Sequence, residues 1–131
     1  MDLKEAIGAA IKEVPKAVAA GVVDMDSGML LDIKTTSSHP NEVFDLLAAA
    51  TKDMYEGENV TNVEKIFKKA RGVKTDERYF QEFVVFSTNL VHYFTRIPSK
   101  PGTVFAVVCQ GDANVGLILV KAREIARALK F

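Results

Sequence analysis

Cys109, His39, His92 and the paired acids Asp24 and Asp26 are the residues of this 131-residue chain whose types invite chemistry. A nucleophilic thiol or hydroxyl needs a base beside it. Cys109 closes the apolar run from Val104 to Val108, which marks it as a small buried hydrophobe rather than a reactive thiol. His92 sits mid-strand between Val91 and Tyr93. His39 follows Ser37 and Ser38 at a helix start, where adjacency is capping chemistry and not a triad. Asp24 and Asp26 flank Met25 ahead of Ser27-Gly28 and have oxygens to offer a cation. They lack the longer ligand series and distal Glu of a calcium loop, so the segment reads as a turn. Gly111-Asp112-Ala113-Asn114-Val115-Gly116 precedes a helix, but a cap carboxylate at Asp112 repels phosphate. No catalytic, cofactor-binding or metal-ligating residue is expected, and no cofactor.

Lys65, Lys68, Lys69, Arg71 and Lys74 form a basic cluster. A solvated helix face is the simplest reading and an acidic protein partner the next. An overall pI near 6.7, with only Phe67 near enough to stack on a base, argues against nucleic acid. Charge is balanced overall but unevenly spread: residues 1–60 hold eleven acids and five bases, residues 61–131 six acids and twelve bases. With 48% hydrophobic and 26% charged residues, the chain has ordinary globular composition and enough length for one core. A single domain over 1–131 is expected. One cysteine precludes an internal disulfide and suits the cytoplasm. The N-terminus reads as no signal peptide, and no run approaches eighteen apolar residues, so a membrane is not expected as a partner.

Elements follow from periodicity and punctuation. Leu3, Ile7, Ala10, Ile11 and Val14 share one helical face, ended by Pro15. Ala17 to Val23 and Met29 to Thr35 form a hairpin about the Asp24–Gly28 turn. Ser38 or His39 caps a helix with Pro40 in its first turn. On that helix Val43, Leu46, Leu47, Ala50 and Met54 form one apolar face and Phe44, Ala48 and Tyr55 a second, so both sides require cover. Gly57-Glu58-Asn59 breaks it. Thr61 and Glu64 suggest a capping box for a short helix ending at Gly72. Strands are expected at Tyr79–Ser87, Val91–Ile97 and Thr103–Cys109. A last helix, capped by Asp112, buries Val115, Ile118, Leu119, Ala122, Ile125, Ala126 and Leu129. The order is α-β-β-α-(α)-β-β-β-α, an α+β fold.

Two patterns carry a resemblance. One is the hairpin from Gly21 to Leu31, a strand of small residues, an Asp-x-Asp-x-Gly turn and an apolar strand; the other is Asp112-Ala113-Asn114-Val115-Gly116-Leu117, which opens the last helix directly after a buried strand. With the element order, they resemble the Roadblock/dynein light chain family from about Leu3 to Leu129. The resemblance implies a five-stranded antiparallel sheet with helices on both faces, and a homodimer whose sheets join edge to edge while the central helices pack together. It places Phe44, Leu47, Ala48, Thr51, Tyr55, Tyr79 and Phe80 at the dimer interface, with the strand starting near Tyr79 as the joining edge. It implies a non-catalytic scaffold or regulator of a small GTPase, another NTPase or a signalling protein. The helix break at Gly57 departs from the family's single long central helix. The rival expectation is a small-molecule sensor of the profilin-like or PAS type.

Overall fold

Adjacent residues of the central strands send their side chains to opposite faces, and both faces are apolar. The computed structural model describes residues 1–37, 41–72, 74 and 77–131, with only the backbone at 41 and 42. Its elements are α1 (Leu3–Glu13), β1 (Ala17–Asp24), β2 (Met29–Thr35), α2 (Asn41–Glu56), α3 (Glu58–Arg71), β3 (Glu82–Phe86), β4 (Leu90–Ile97), β5 (Lys100–Gln110) and α4 (Val115–Ala128). The five strands form one antiparallel sheet in the order β2-β1-β5-β4-β3. The expected element order and fold class stand.

Val22 pairs with Phe105, and their neighbours Val23 and Val104 pair one step along. Val22, Tyr93, Phe105, Val107 and Cys109 face α1 and α4 and meet Ile7, Ala10, Ile118 and Ile125 in the larger core. Val23 and Val104 face the other way and join Met25, Ala48 and Tyr55. Within α1, the Asp2 carboxylate accepts the Glu5 amide as an N-cap. After Pro15 the chain reverses through Lys16, whose φ is +53°, and Lys16 pairs with Asp112. Asp24 accepts hydrogen bonds from the Ser27 amide and hydroxyl, and Gly28 takes φ +72°, so the acids flanking Met25 belong to a turn.

Several local expectations are corrected. β3 begins at Glu82, not Tyr79, because side chains hold the backbone before it: the Glu64 carboxylate takes the Tyr79 amide at 2.6 Å, and Arg96 Nε donates to the Phe80 carbonyl at 2.8 Å. No capping box forms, since α3 starts at Glu58 directly after Gly57. Thr61 lies inside α3 and donates to the Glu58 carbonyl, and Glu64 turns to Arg78. At Gly57 a Cβ would lie 2.6 Å from the Asp53 carbonyl oxygen, so the abrupt join of α2 to α3 requires glycine. The cap of α4 is Asn114, which accepts the Leu117 amide; Asp112 serves Lys16, whose hydrogen bond and, less so, charge hold its carboxyl below the usual range. The expected caps Ser38 and His39, with Pro40, lie outside the described residues.

A polar knot fixes the α2–α3 corner to the sheet. The Arg96 side chain is 4% exposed. Its Nε donates to the Phe80 carbonyl at 2.8 Å and its Nη1 to the Pro101 carbonyl at 3.0 Å. Its guanidinium lies 4.8 Å from the centre of the Tyr55 ring. Glu56 is 4.0 Å from Arg96 and 3.4 Å from Arg78, and Arg78 Nε donates to both oxygens of Glu64 at 3.0 and 3.3 Å. Glu64 is the residue of α3 that the fold buries, so charge rather than apolar packing holds that helix.

Candidate functional site

An amphipathic helix normally lays one stripe on the core and turns the rest to water. α2 does this with Ala48, Thr51 and Tyr55, buried against the chain's own sheet, while the Thr51 hydroxyl returns to the Leu47 carbonyl. Beyond that stripe α2 exposes further apolar side chains, of which Val43 and Leu47 also line the cleft described below. Val43, Leu46 and Leu47 are 40%, 65% and 55% exposed. Three of the residues expected at a dimer interface are thus interior, Leu47 is on the surface, and Phe44 is half-buried between them. Tyr79 and Phe80 are also half-buried. Tyr79 stacks on Phe67 with centroids 5.9 Å apart, and Phe80 stacks on Phe83 at 5.8 Å.

Between the N-terminal half of α2 and the sheet lies a cleft of about 480 Å³. It is lined by Val18, Ile33, Leu47, His92, Phe94 and Val108 among others. Its floor is deepened where β1 offers small side chains: Ala19 and Gly21 alternate on this face, and a Cβ at Gly21 would meet the Asp32 carbonyl at 3.0 Å. Beside it runs β3, the last strand in the sheet order, with Val84, Val85 and Phe86 at 37%, 40% and 67% exposure. The sequence pattern announced a helix with two apolar sides but not this cleft, whose only signal was the small-residue run Ala17-Val18-Ala19-Ala20-Gly21.

The described candidate chemical residues stand apart from one another. Cys109 is buried on the opposite sheet face, and burial pushes its thiol up to about 11. Ser87 Oγ lies 3.1 Å from His92 Nε2, but Ser87 also closes the β3–β4 turn onto the Leu90 carbonyl. His39 lies outside the described residues. No cluster of three His, Cys, Asp or Glu that could hold a metal occurs among the described residues.

His92 gives a pH prediction. Burial lowers its pKa below the ordinary value, so the folded chain binds this proton less readily than the unfolded chain. Its stabilising effect is complete above the unfolded pKa of about 6.5 and declines as pH falls from there towards the depressed folded value. His92→Leu is expected to flatten stability between pH 7 and 5 relative to the wild type, read from urea midpoints at each pH. Parallel curves for the two proteins would refute this.

The fold itself is found in solved structures. The gliding protein MglB from Thermus thermophilus superposes with a TM-score of 0.70 at 19% identity, over 96% of this chain and 84% of that one. A Roadblock/LC7 domain from Streptomyces avermitilis gives 0.69 at 16% identity, over 98% and 94%. An MglB described as having a tetrameric arrangement gives 0.70 at 20% identity, over 96% and 83%. No family model and no curated protein matches the sequence. The likeness is one of fold, and that fold is Roadblock-like.

Proposed function

We propose that this Roadblock-like chain is a non-catalytic interaction module of the cytoplasm. It forms a homodimer and regulates or scaffolds a small GTPase, another NTPase or a signalling protein. The observation that carries the reading is the pairing of exposed apolar side chains on α2 with an edge strand whose side chains are exposed. An exposed edge invites pairing with another strand. A stable interface buries roughly 1,200–2,000 Å², and Phe44, Leu47, Leu46 and the β3 edge are where it is sought, with Tyr79 and Phe80 at its margin. Ala48, Thr51 and Tyr55 support the interface from beneath. Self-association has a structural precedent in the tetrameric arrangement of one MglB.

Light scattering on a sizing column at low micromolar concentration tests the dimer. The expected mass is twice the chain's 14.4 kDa, and Leu47→Asp is expected to return it to a monomer with unchanged circular dichroism, because Leu47 is exposed. A monomeric wild type, or a variant that stays dimeric, removes this interface. The GTPase half is tested separately by titrating small GTPases of the same genome in GDP-bound and GTP-analogue-bound forms. Binding that depends on the nucleotide supports it, and no binding to any of them defeats it.

The cleft favours a second reading, a sensor of small apolar molecules. Its volume of about 480 Å³ lies within the range of ligand pockets. A ligand bound there raises the unfolding temperature with concentration. A flat response across a panel of small apolar compounds, together with a dimeric mass, would leave the interaction module as the reading.

A further inference from the structure

α3 turns its polar side to the body and its apolar side to water. Val63, Ile66, Phe67 and Ala70 recur at i, i+3, i+4 and i+7 and form one stripe. All four are exposed, Ile66 to 64% and Phe67 to 51% even with its ring on Tyr79. The inward side presents Glu64 to Arg78 and the Tyr79 amide. A helix placed for stability buries its apolar stripe; this one does the reverse. By helical geometry Lys69 borders the stripe on one side and Arg71 on the other, Lys65 lies further round the helix, and Lys68, one turn from Glu64, shares the inward side with its ammonium 6.0 Å from the Tyr79 ring. The acids of α3 are Glu58, in its first turn, and Glu64, which Arg78 neutralises.

We propose that α3 is a surface-lying anchor for an anionic lipid bilayer. Val63, Ile66 and Phe67 enter the boundary between headgroups and acyl chains, and the flanking cations meet the headgroup charges. Exposed apolar residues bordered by cations select this partner. Lys65 and Lys69 have flexible stems that lie along apolar matter while the ammonium stays in water. Outward apolar residues bordered by cations are the pattern of helices that lie in a bilayer interface, and anionic leaflets attract such cations. No described helix is long and apolar enough to span a membrane, and lying on one requires no span. The sequence-based expectation of no membrane partner rested on the absence of a span alone. The proposal is independent of the dimer and of the GTPase reading.

The test is co-sedimentation of the full chain with vesicles of phosphatidylcholine alone, or with about 30 mol% phosphatidylserine, at roughly 0.1 M salt. Binding is expected to the anionic vesicles only and to weaken as salt rises. Ile66→Ser, and separately Lys65→Glu with Lys69→Glu, are each expected to lower the apparent affinity roughly tenfold. All three positions are exposed, and circular dichroism confirms that the variants fold. Failure of the wild type to sediment with anionic vesicles overturns the proposal, as does binding that Ile66→Ser leaves unchanged. A lower solution mass for Ile66→Ser would assign the stripe to a second copy. Retention on poly-L-glutamate without vesicle binding would assign it to an acidic protein.

Discussion

Arg96→Ala is expected to cost about 2–4 kcal/mol of folding free energy, for two carbonyls left without their donor and an aromatic ring left without its cation. The side chain is 4% exposed, and burial draws its pKa below the ordinary arginine value, with Glu56 opposing that shift. Its removal strips the Phe80 and Pro101 carbonyls of their charged donors and the Tyr55 ring of its cation. Glu56 keeps Arg78, at 3.4 Å, so that carboxylate is not orphaned; the loss falls mainly on the carbonyls and the vacated volume. Arg96→Lys should recover little, because an ammonium does not reproduce the planar fork that reaches two carbonyls at once. Urea unfolding with an unchanged slope checks the value. A loss below about 1 kcal/mol would mean that water replaces the guanidinium at no great cost and that the knot adds little to stability.

The second large effect belongs to the opposite sheet face. Phe105 has no exposed surface, pairs across the sheet with Val22 and Thr95, and sits in the core under α1 and α4. Phe105→Ala is expected to cost about 3–5 kcal/mol, the transfer of the ring to water plus the cavity left behind. Phe105→Leu should cost well under half as much, since most of the volume remains. The two substitutions lie on opposite faces of the sheet, so their double variant is expected to be close to additive. Equal losses for Phe105→Ala and Phe105→Leu in urea unfolding would show that ring shape, not buried volume, governs the site.

Periodicity and turn residues made most of this fold legible. The hairpin about Asp24–Gly28 was readable because Asp, Ser and Gly each have one strong local use. Strands β4 and β5 were readable from their apolar runs. What escaped had non-local causes. β3 starts at Glu82 because the side chains of Glu64, from α3, and Arg96, from β4, occupy the backbone of Tyr79 and Phe80. Thr61 and Glu64 have the spacing of a capping box, yet the Arg78 cation outcompetes a helix amide for Glu64. Asp112 lost the cap of α4 to Asn114 because Lys16, brought close by the β1–β5 pairing, holds it. On α2 the existence of two apolar faces was legible, but their membership was not: Ala48, Thr51 and Tyr55 are buried, Leu47 lines the cleft and Leu46 is exposed, a choice that depends on how the helix crosses the sheet. The cleft beneath it depends on small residues in β1 opposite Ala106 and Val108, a juxtaposition of segments far apart in the chain.

That same β1–β5 seam bears on how the chain reaches its native state. β1 with β2, and β3 with β4 and β5, are local antiparallel units that each need only short turns. The seam runs from Ala17 opposite Cys109 to Asp24 opposite Thr103, so the sheet's centre must wait for the two ends of the chain to meet. Loop-closure entropy is lost before that contact gives anything in return. On this topology the two hairpin-built halves are expected to form first and to join last. Until they join, β1 and β5 each present an unpaired apolar edge, the interval in which a folding chain is most exposed to its neighbours.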